Sequence, residues 1–197
     1  MERLRIEGLR FHTIGPVNLI VDRSECIGIT GPSGVGKTLF LRSVADMAPH
    51  TGKLFLDHTE SNEMTGPEWR KKVGLLPSES SWWFDTVGEH FNSVEEKWFK
   101  ALGFDGQVMK WEVSRLSSGE RQRLALLRLL CNHPKVLLLD EPTANLDSDN
   151  IRQAERFLSD YRLGTESSVI WISHDIAQLK RVSSCCFILK DNQLLKI

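Results

Sequence analysis

Residues 31–38 constrain this chain more than any other segment: Gly31-Pro32-Ser33-Gly34-Val35-Gly36-Lys37-Thr38 satisfies GxxxxGK[ST]. Its glycines let the backbone curl until successive N–H groups point inward and cradle a phosphate. The motif carries that meaning between a buried strand and a helix, and the flanking pattern supplies both. The apolar run Ile27-Gly28-Ile29-Thr30 precedes it, and a helical pattern runs from Lys37 to Met47. A helix that begins near Lys37 adds its positive end to the cradle. Lys37 is therefore expected to reach β- and γ-phosphates, and the Thr38 hydroxyl to ligate Mg2+.

Apolar runs elsewhere set the fold class. Leu4 to Phe11 and Val17 to Asp22 read as strands, and shorter runs recur at Leu54–Leu56, Val73–Leu76, Val136–Leu139 and Val169–Ile172. The last two lack polar alternation, as strands covered on both faces do. Helical patterns separate them at Ser118–Asn132, at Ser148–Tyr161 and after Asp175, and such alternation is the pattern of an α/β fold. The tail reads as a hairpin around Asp191-Asn192. From about residue 80 to 115 the rhythm breaks: four of the six tryptophans fall there with no long strand, which suggests a small, mostly helical lobe inserted in one domain spanning 1–197.

Composition narrows the partners. A net charge of -1 gives no global basic field, so nucleic acid is not the expected partner. No run approaches the roughly 20 apolar residues of a membrane-spanning helix, and the first residues lack an apolar signal core. Four cysteines without a CxxC pair read as buried small hydrophobes in a reducing compartment.

Val136-Leu137-Leu138-Leu139-Asp140-Glu141 is an apolar strand that ends in two carboxylates. Neighbouring strand residues face opposite ways, so the pair divides its work. Asp140 is suited to hold Mg2+ through water, and Glu141 to polarise the water that attacks a γ-phosphate. His174 ends the run Val169 to Ile172 two residues on, where ligands of open α/β sheets gather, and is a candidate γ-phosphate contact. Leu116-Ser117-Ser118-Gly119-Glu120 opens a helix with the spacing of a capping box, and a helix start of glycine and serine is also an anion site.

These segments, in this order, resemble the ATP-binding-cassette (ABC) ATPase family over nearly the whole chain. Gly31–Thr38 resembles its Walker A loop, Ser117-Ser118-Gly119-Glu120 its signature, Asp140-Glu141 its Walker B pair, Ala144-Asn145-Leu146-Asp147 its D-loop and His174 its switch histidine. The resemblance implies a P-loop NTPase core with a mainly parallel sheet, N-terminal antiparallel strands and a small helical subdomain. It implies an ATPase that uses ATP and Mg2+. It further implies a head-to-tail pair of nucleotide-binding subunits, each ATP held between one phosphate loop and the other subunit's signature, so that Ser117 and Gly119 act in trans; Ser118, Glu120 and Asp147 are further candidate nucleotide-binding residues. A separate transmembrane permease subunit would anchor the pair on the cytoplasmic face of a membrane. A soluble cofactor-assembly ATPase and a regulatory ATP-binding module are the alternatives.

Three positions depart from the family pattern or leave choices open. Ser78 follows Val73–Pro77 where the family usually has a glutamine, and serine reaches Mg2+ or its water less far. Phe11 is the candidate to stack on adenine, or a core residue. Ser80-Ser81-Trp82-Trp83-Phe84 is either core or an exposed patch where relatives receive a membrane subunit.

Overall fold

Two sheets close over shared apolar layers in the computed structural model, which describes residues 1–92 and 95–197. Along the chain run β1 (Glu2–Phe11), β2 (Ile14–Asp22), β3 (Cys26–Thr30), α1 (Lys37–Val44), β4 (Thr51–Leu56), β5 (Thr59–Glu60), α2 (Gly66–Lys72) and β6 (Val73–Leu76). There follow α3 (Glu96–Ala101), α4 (Ser118–Leu130), β7 (Val136–Asp140), α5 (Ser148–Thr165), β8 (Ser168–Ile172), α6 (Ile176–Val182), β9 (Cys185–Lys190) and β10 (Gln193–Lys196). One sheet is antiparallel in the order β2-β1-β4-β5, and the other runs β10-β9-β3-β8-β7-β6. Every pairing in the second is parallel except the terminal β9–β10 hairpin. This is the α/β cassette core with antiparallel N-terminal strands that the resemblance implies.

Strand alternation divides the core. Val136 and Leu138 of β7, with Ile170 and Ile172 of β8, pack toward α1 and the antiparallel sheet. Leu137 and Leu139, with Val169 and Trp171, pack toward α4, α5 and α6. That is why neither strand shows polar alternation: each face has its own apolar cover, and a fully buried leucine contributes roughly 1.5–3 kcal/mol.

Segments differ from expectation where local chemistry intervenes. Helix α1 stops at Val44 instead of Met47, because Asp46 takes a left-handed φ of 55°. The 80–115 lobe holds one short helix, α3, and 3-10 turns at Gly88–His90, Gly106–Lys110 and Val113–Arg115, clipped by a Thr86–Glu112 bridge. Residues 93 and 94 of that expected lobe lie outside the described residues. Its apolar side chains, Trp98, Phe99, Leu102 and Phe104 among them, join the α4–α5 core. Helix α2 is not announced by apolar periodicity; it opens on a Thr65/Glu68 capping box and buries Trp69, whose indole N–H donates to the Val44 carbonyl at 2.9 Å. Cys131 and Cys185 are only half-buried, whereas Cys26 and Cys186 are buried as expected.

Asp57, in the turn between β4 and β5, ties the antiparallel sheet to the rest. Its carboxylate accepts from Arg3 at 2.8 Å, Arg23 at 3.3 Å and Lys135, ahead of β7, at 2.6 Å. Burial alone would raise this carboxyl. The hydrogen bond from Lys135 and the charge of Arg3 outweigh burial and hold it below the usual 3.8. A depressed carboxyl stabilises the fold above its unfolded pKa and loses that contribution as pH falls toward the folded value. Asp57→Asn is expected to cost about 3 kcal/mol at neutral pH, because it strands the buried Arg3 guanidinium. In denaturant titrations the deficit should shrink below pH 4; a deficit independent of pH would refute the assignment.

Candidate active site

The chain folds its phosphate loop between β3 and α1, where the glycines answer both the local backbone and close neighbours from elsewhere in the fold. Gly34 and Gly36 hold φ of 76° and 104°, and a Cβ on Gly36 would lie 2.5 Å from Ile14 Cδ1. Gly31 packs against the Leu189 carbonyl of β9, where a Cβ would collide. Side chains are thus excluded for two separate reasons: backbone hand and lack of room. A cavity of about 660 Å³ opens over the loop.

Ser33 to Thr38 line that cavity together with Ser78, Asp140, Glu141 and His174, so residues spread over 140 positions converge on one space. Asp140 lies on the same face of β7 as Val136 and Leu138, toward α1, and its carboxylate accepts from the Thr38 hydroxyl at 2.7 Å. The Lys37 ammonium donates to the carbonyls of Gly31 and Pro32 at 2.8 and 3.0 Å and lies 3.5 Å from His174 Nε2. Burial pulls Lys37 below the usual lysine value, against the fields of Glu141 and Asp140.

Glu141 does not follow strand alternation. It takes φ 48°, a conformation uncommon for a residue with a side chain, and the strand ends at Asp140. Both carboxylates consequently face the same cavity. Glu141 Oε1 is buried with no hydrogen-bond partner; the nearest opposite group is His174 Nε2 at 3.5 Å. Burial raises the Glu141 carboxyl above the usual 4.5, against the pull of His174 and Lys37. A strained backbone that presents an orphaned, raised carboxylate beside a phosphate cradle suits a general base for a water molecule.

Other expected residues lie elsewhere. Ser117, Ser118, Gly119, Glu120 and Asp147 do not line the cavity over their own chain's loop. Ser117 caps the exposed start of α4: its hydroxyl donates to Glu120 Oε2 at 2.8 Å and accepts from the Glu120 N–H at 3.2 Å. Gly119 is packed so closely on the D-loop that a Cβ would lie 2.9 Å from the Asn145 carbonyl. Asp147 caps α5, accepting from the backbone N–H of Asp149 and Asn150 at 3.1 and 2.9 Å. Ser78 lines both the phosphate cavity and a neighbouring one beneath Ser118, Arg121 and Asn145.

Phe11 requires a correction. It is 2% exposed and packs on Phe40 with ring centroids 5.8 Å apart, so no base can reach its face. Alternation along β1 puts residue 11 inward, and the turn that follows puts exposed His12 on the cavity wall. Asn192 of the β9–β10 turn lines the same wall, and no sequence signal marks it.

A buried network backs the site from behind. Gln178 of α6 donates to Thr143 Oγ1 at 2.8 Å and to Glu155 Oε1 at 2.9 Å, and Arg181 makes two bonds to Glu155 at 2.8 and 2.7 Å. It couples the loop after Glu141 to the helix after His174. Sequence reasoning missed it, because the four residues share no local spacing.

The fold agrees with comparisons against known proteins. The family profile described as ABC transporter matches residues 14–144. A phosphate import ATP-binding protein, PstB 2 of Natronomonas pharaonis, is 32% identical over 206 residues, covering 91% of this chain and 72% of that protein. ABC transporter I family member 17 of Arabidopsis thaliana is 28% identical over 194 residues, 92% of this chain and 74% of its own. Among solved structures, the dimeric post-hydrolysis state of the ATP-binding cassette MJ0796 with ADP and Pi superposes with a TM-score of 0.82 at 22% identity, over 97% of this chain and 96% of that one.

Because the Glu141 carboxyl is raised, its ionisation works against the fold once pH passes its unfolded value, the reverse of Asp57. Glu141→Gln should therefore raise the melting temperature at pH 7 relative to wild type. The gain should shrink as pH falls and be largely gone at pH 4, where most of the unfolded chains also carry the proton. Thermal unfolding at the two pH values decides it; a variant less stable than wild type at pH 7 would count against the burial argument.

Proposed function

The chain belongs to the ABC transporter family, and on that premise we propose that it is the ATP-hydrolysing subunit of a transporter whose membrane domain is a separate chain. The relatives named above include a phosphate import protein, which supports transport over a soluble ATPase in cofactor assembly. The observation that carries the proposal is the meeting of Lys37, Thr38, Asp140, Glu141 and His174 in one cavity, with the Ser117–Gly119 helix start exposed outside it.

Each residue has a role that its position supports. The loop N–H groups and Lys37 bind the β- and γ-phosphates. Thr38 and Asp140 offer adjacent oxygens for Mg2+, which takes one or two protein oxygens and completes its shell with phosphate and water. Among the described residues no cluster of three or more ionisable ligands exists, so a full protein cage is not the arrangement here. When bound, Mg2+ supplies charge neutralisation across the phosphates. Glu141 takes a proton from water as its oxygen bonds to the γ-phosphorus, the bond to the bridging oxygen breaks, and ADP and phosphate result. His174 holds the γ-phosphate, and Ser78 would contact Mg2+ or a water bound to it, with a shorter reach than glutamine's. His12, in place of Phe11, faces the base.

A second copy completes the site. Ser117, Ser118, Gly119 and Glu120 of the partner subunit approach the γ-phosphate from the open side, and Asp147 steers the D-loop between the two sites. The complete site therefore contains residues from both chains. Lys37→Ala disables one loop and Ser117→Arg blocks one signature, so each purified variant should lose at least 100-fold in turnover. A mixture of the two should regain a sizeable fraction of wild-type activity, because one of the two composite sites is then intact. Mixtures as inactive as their components would sink the shared-site reading.

No helix among the described residues is long and apolar enough to cross a membrane. The docking face we propose for the permease is the groove beside Trp83, which is 63% exposed, with Phe84 at 47%. His90 Nε2 accepts from the N–H groups of Trp83 and Phe84 at 3.0 and 3.1 Å, and the Arg128 guanidinium sits 4.7 Å from the Trp83 ring centre. We read the subunit as peripheral on the cytoplasmic face of the membrane, a reading supported by its membership of a transporter family. The Trp83→Ala/Phe84→Ala variant should keep its fold and ATP binding yet lose co-purification with its membrane partner from detergent-solubilised membranes; undiminished co-purification would place the permease elsewhere.

A further inference from the structure

A second cavity, of about 320 Å³, opens between α5, α6 and the strands beneath, and shares no lining residue with the cavity over the phosphate loop. Four guanidinium groups line it, those of Arg152, Arg156, Arg162 and Arg181, against the single carboxylate of Glu155. Arg181 is engaged with Glu155, and Arg162 donates to the Ser24 carbonyl. Arg152 and Arg156, one turn apart on α5, form no ion pair or side-chain hydrogen bond among the described residues. Like charges at that spacing destabilise a helix, and no ion pair offsets them here.

A second observation points the same way. Trp171 of β8 lines the cavity and is 2% exposed, and its indole N–H is buried without an acceptor. A buried donor left unmet is costly and calls for a partner. The floor around it is apolar, and the volume lies at the small end of the range for metabolite pockets. An ion as small as phosphate would satisfy the arginines and leave the floor empty.

We propose that this cavity binds a small organic anion, a phosphate ester or carboxylate carried on an apolar body, and that its occupancy modulates ATP turnover. The link to turnover is the buried network. An anion that draws Arg181 from Glu155 loosens the carboxylate that also accepts from Gln178, and Gln178 holds Thr143, two residues beyond Glu141. Charge-assisted bonds of this kind exchange partners when a stronger anion competes. The regulatory half rests on the ATPase reading above; the binding half does not.

The test reads the Trp171 indole N–H by ¹H–¹⁵N correlation, its signal assigned with Trp171→Phe, on full-length protein without ATP. Phenyl phosphate and benzoate are the probes, and inorganic phosphate at matched ionic strength is the control. A saturable shift with either organic anion, at least tenfold weaker with inorganic phosphate, is expected; which probe binds tells ester from carboxylate. Arg152→Gln/Arg156→Gln keeps two good helix formers on an exposed face and should weaken binding at least tenfold. No saturable shift with either organic anion up to about 20 mM, or equal affinity in the double variant, overturns the site. Turnover at saturating ligand should change at least twofold in wild type; unchanged turnover at full occupancy overturns the regulatory half. A chain with no ATPase activity at all would defeat the earlier proposal and leave the binding result readable.

Discussion

The Thr38 hydroxyl donates to the Asp140 carboxylate at 2.7 Å, and this contact joins the helix that opens after the phosphate loop to the end of β7. It exists because β7 alternates: Val136 and Leu138 must face the core beneath α1, and Asp140, two residues on, inherits their direction. The same alternation sends Leu137 and Leu139 to the other core, against α4 and α5. Packing and chemistry are therefore one constraint. A slip of one residue in the register of β7 would bury the carboxylate among leucines and carry the apolar side chains to the phosphate.

Much of this was legible because the decisive signals are local. The phosphate loop is eight contiguous residues, the strands beside it are short apolar runs, and the α4 cap is a four-residue pattern; all three stand where the spacing puts them. What was not legible depends on distant partners. Phe11 could be assigned to core or ligand only once Phe40 was known to lie against it. Glu141 looked like a residue facing away from Asp140, and the left-handed turn that brings it back has no sequence marker. The Gln178–Thr143–Glu155–Arg181 network escaped for the same reason: its worth comes from contacts across the fold, not from periodicity. Helix α2 does carry a local mark, the Thr65-x-x-Glu68 capping box, but its seven residues, Gly66 and Pro67 among them, are too few for an apolar period to show.

Electrostatics in the site sets opposing demands. Burial disfavours the charge on Glu141 and the charge on Lys37 alike, while each favours the other's. Fold stability is given up to hold two unlike groups close to a cradle that needs a third, negative, one. A nucleotide relieves Lys37 and intensifies the discomfort of Glu141, so the carboxylate's affinity for a proton is greatest when a polarised water is at hand.

The packing of Gly31 against the Leu189 carbonyl of β9 has a consequence for how the chain acquires its site. The loop is made early in synthesis, yet the strand that floors it, and the β9–β10 turn whose Asn192 accepts from the Gly15 N–H at 3.0 Å, are made some 160 residues later. A ribosome-bound fragment can hold the motif in full without the shape that grips a triphosphate. Nucleotide cannot then act as a scaffold for the nascent polypeptide; it arrives as a reporter that folding is complete.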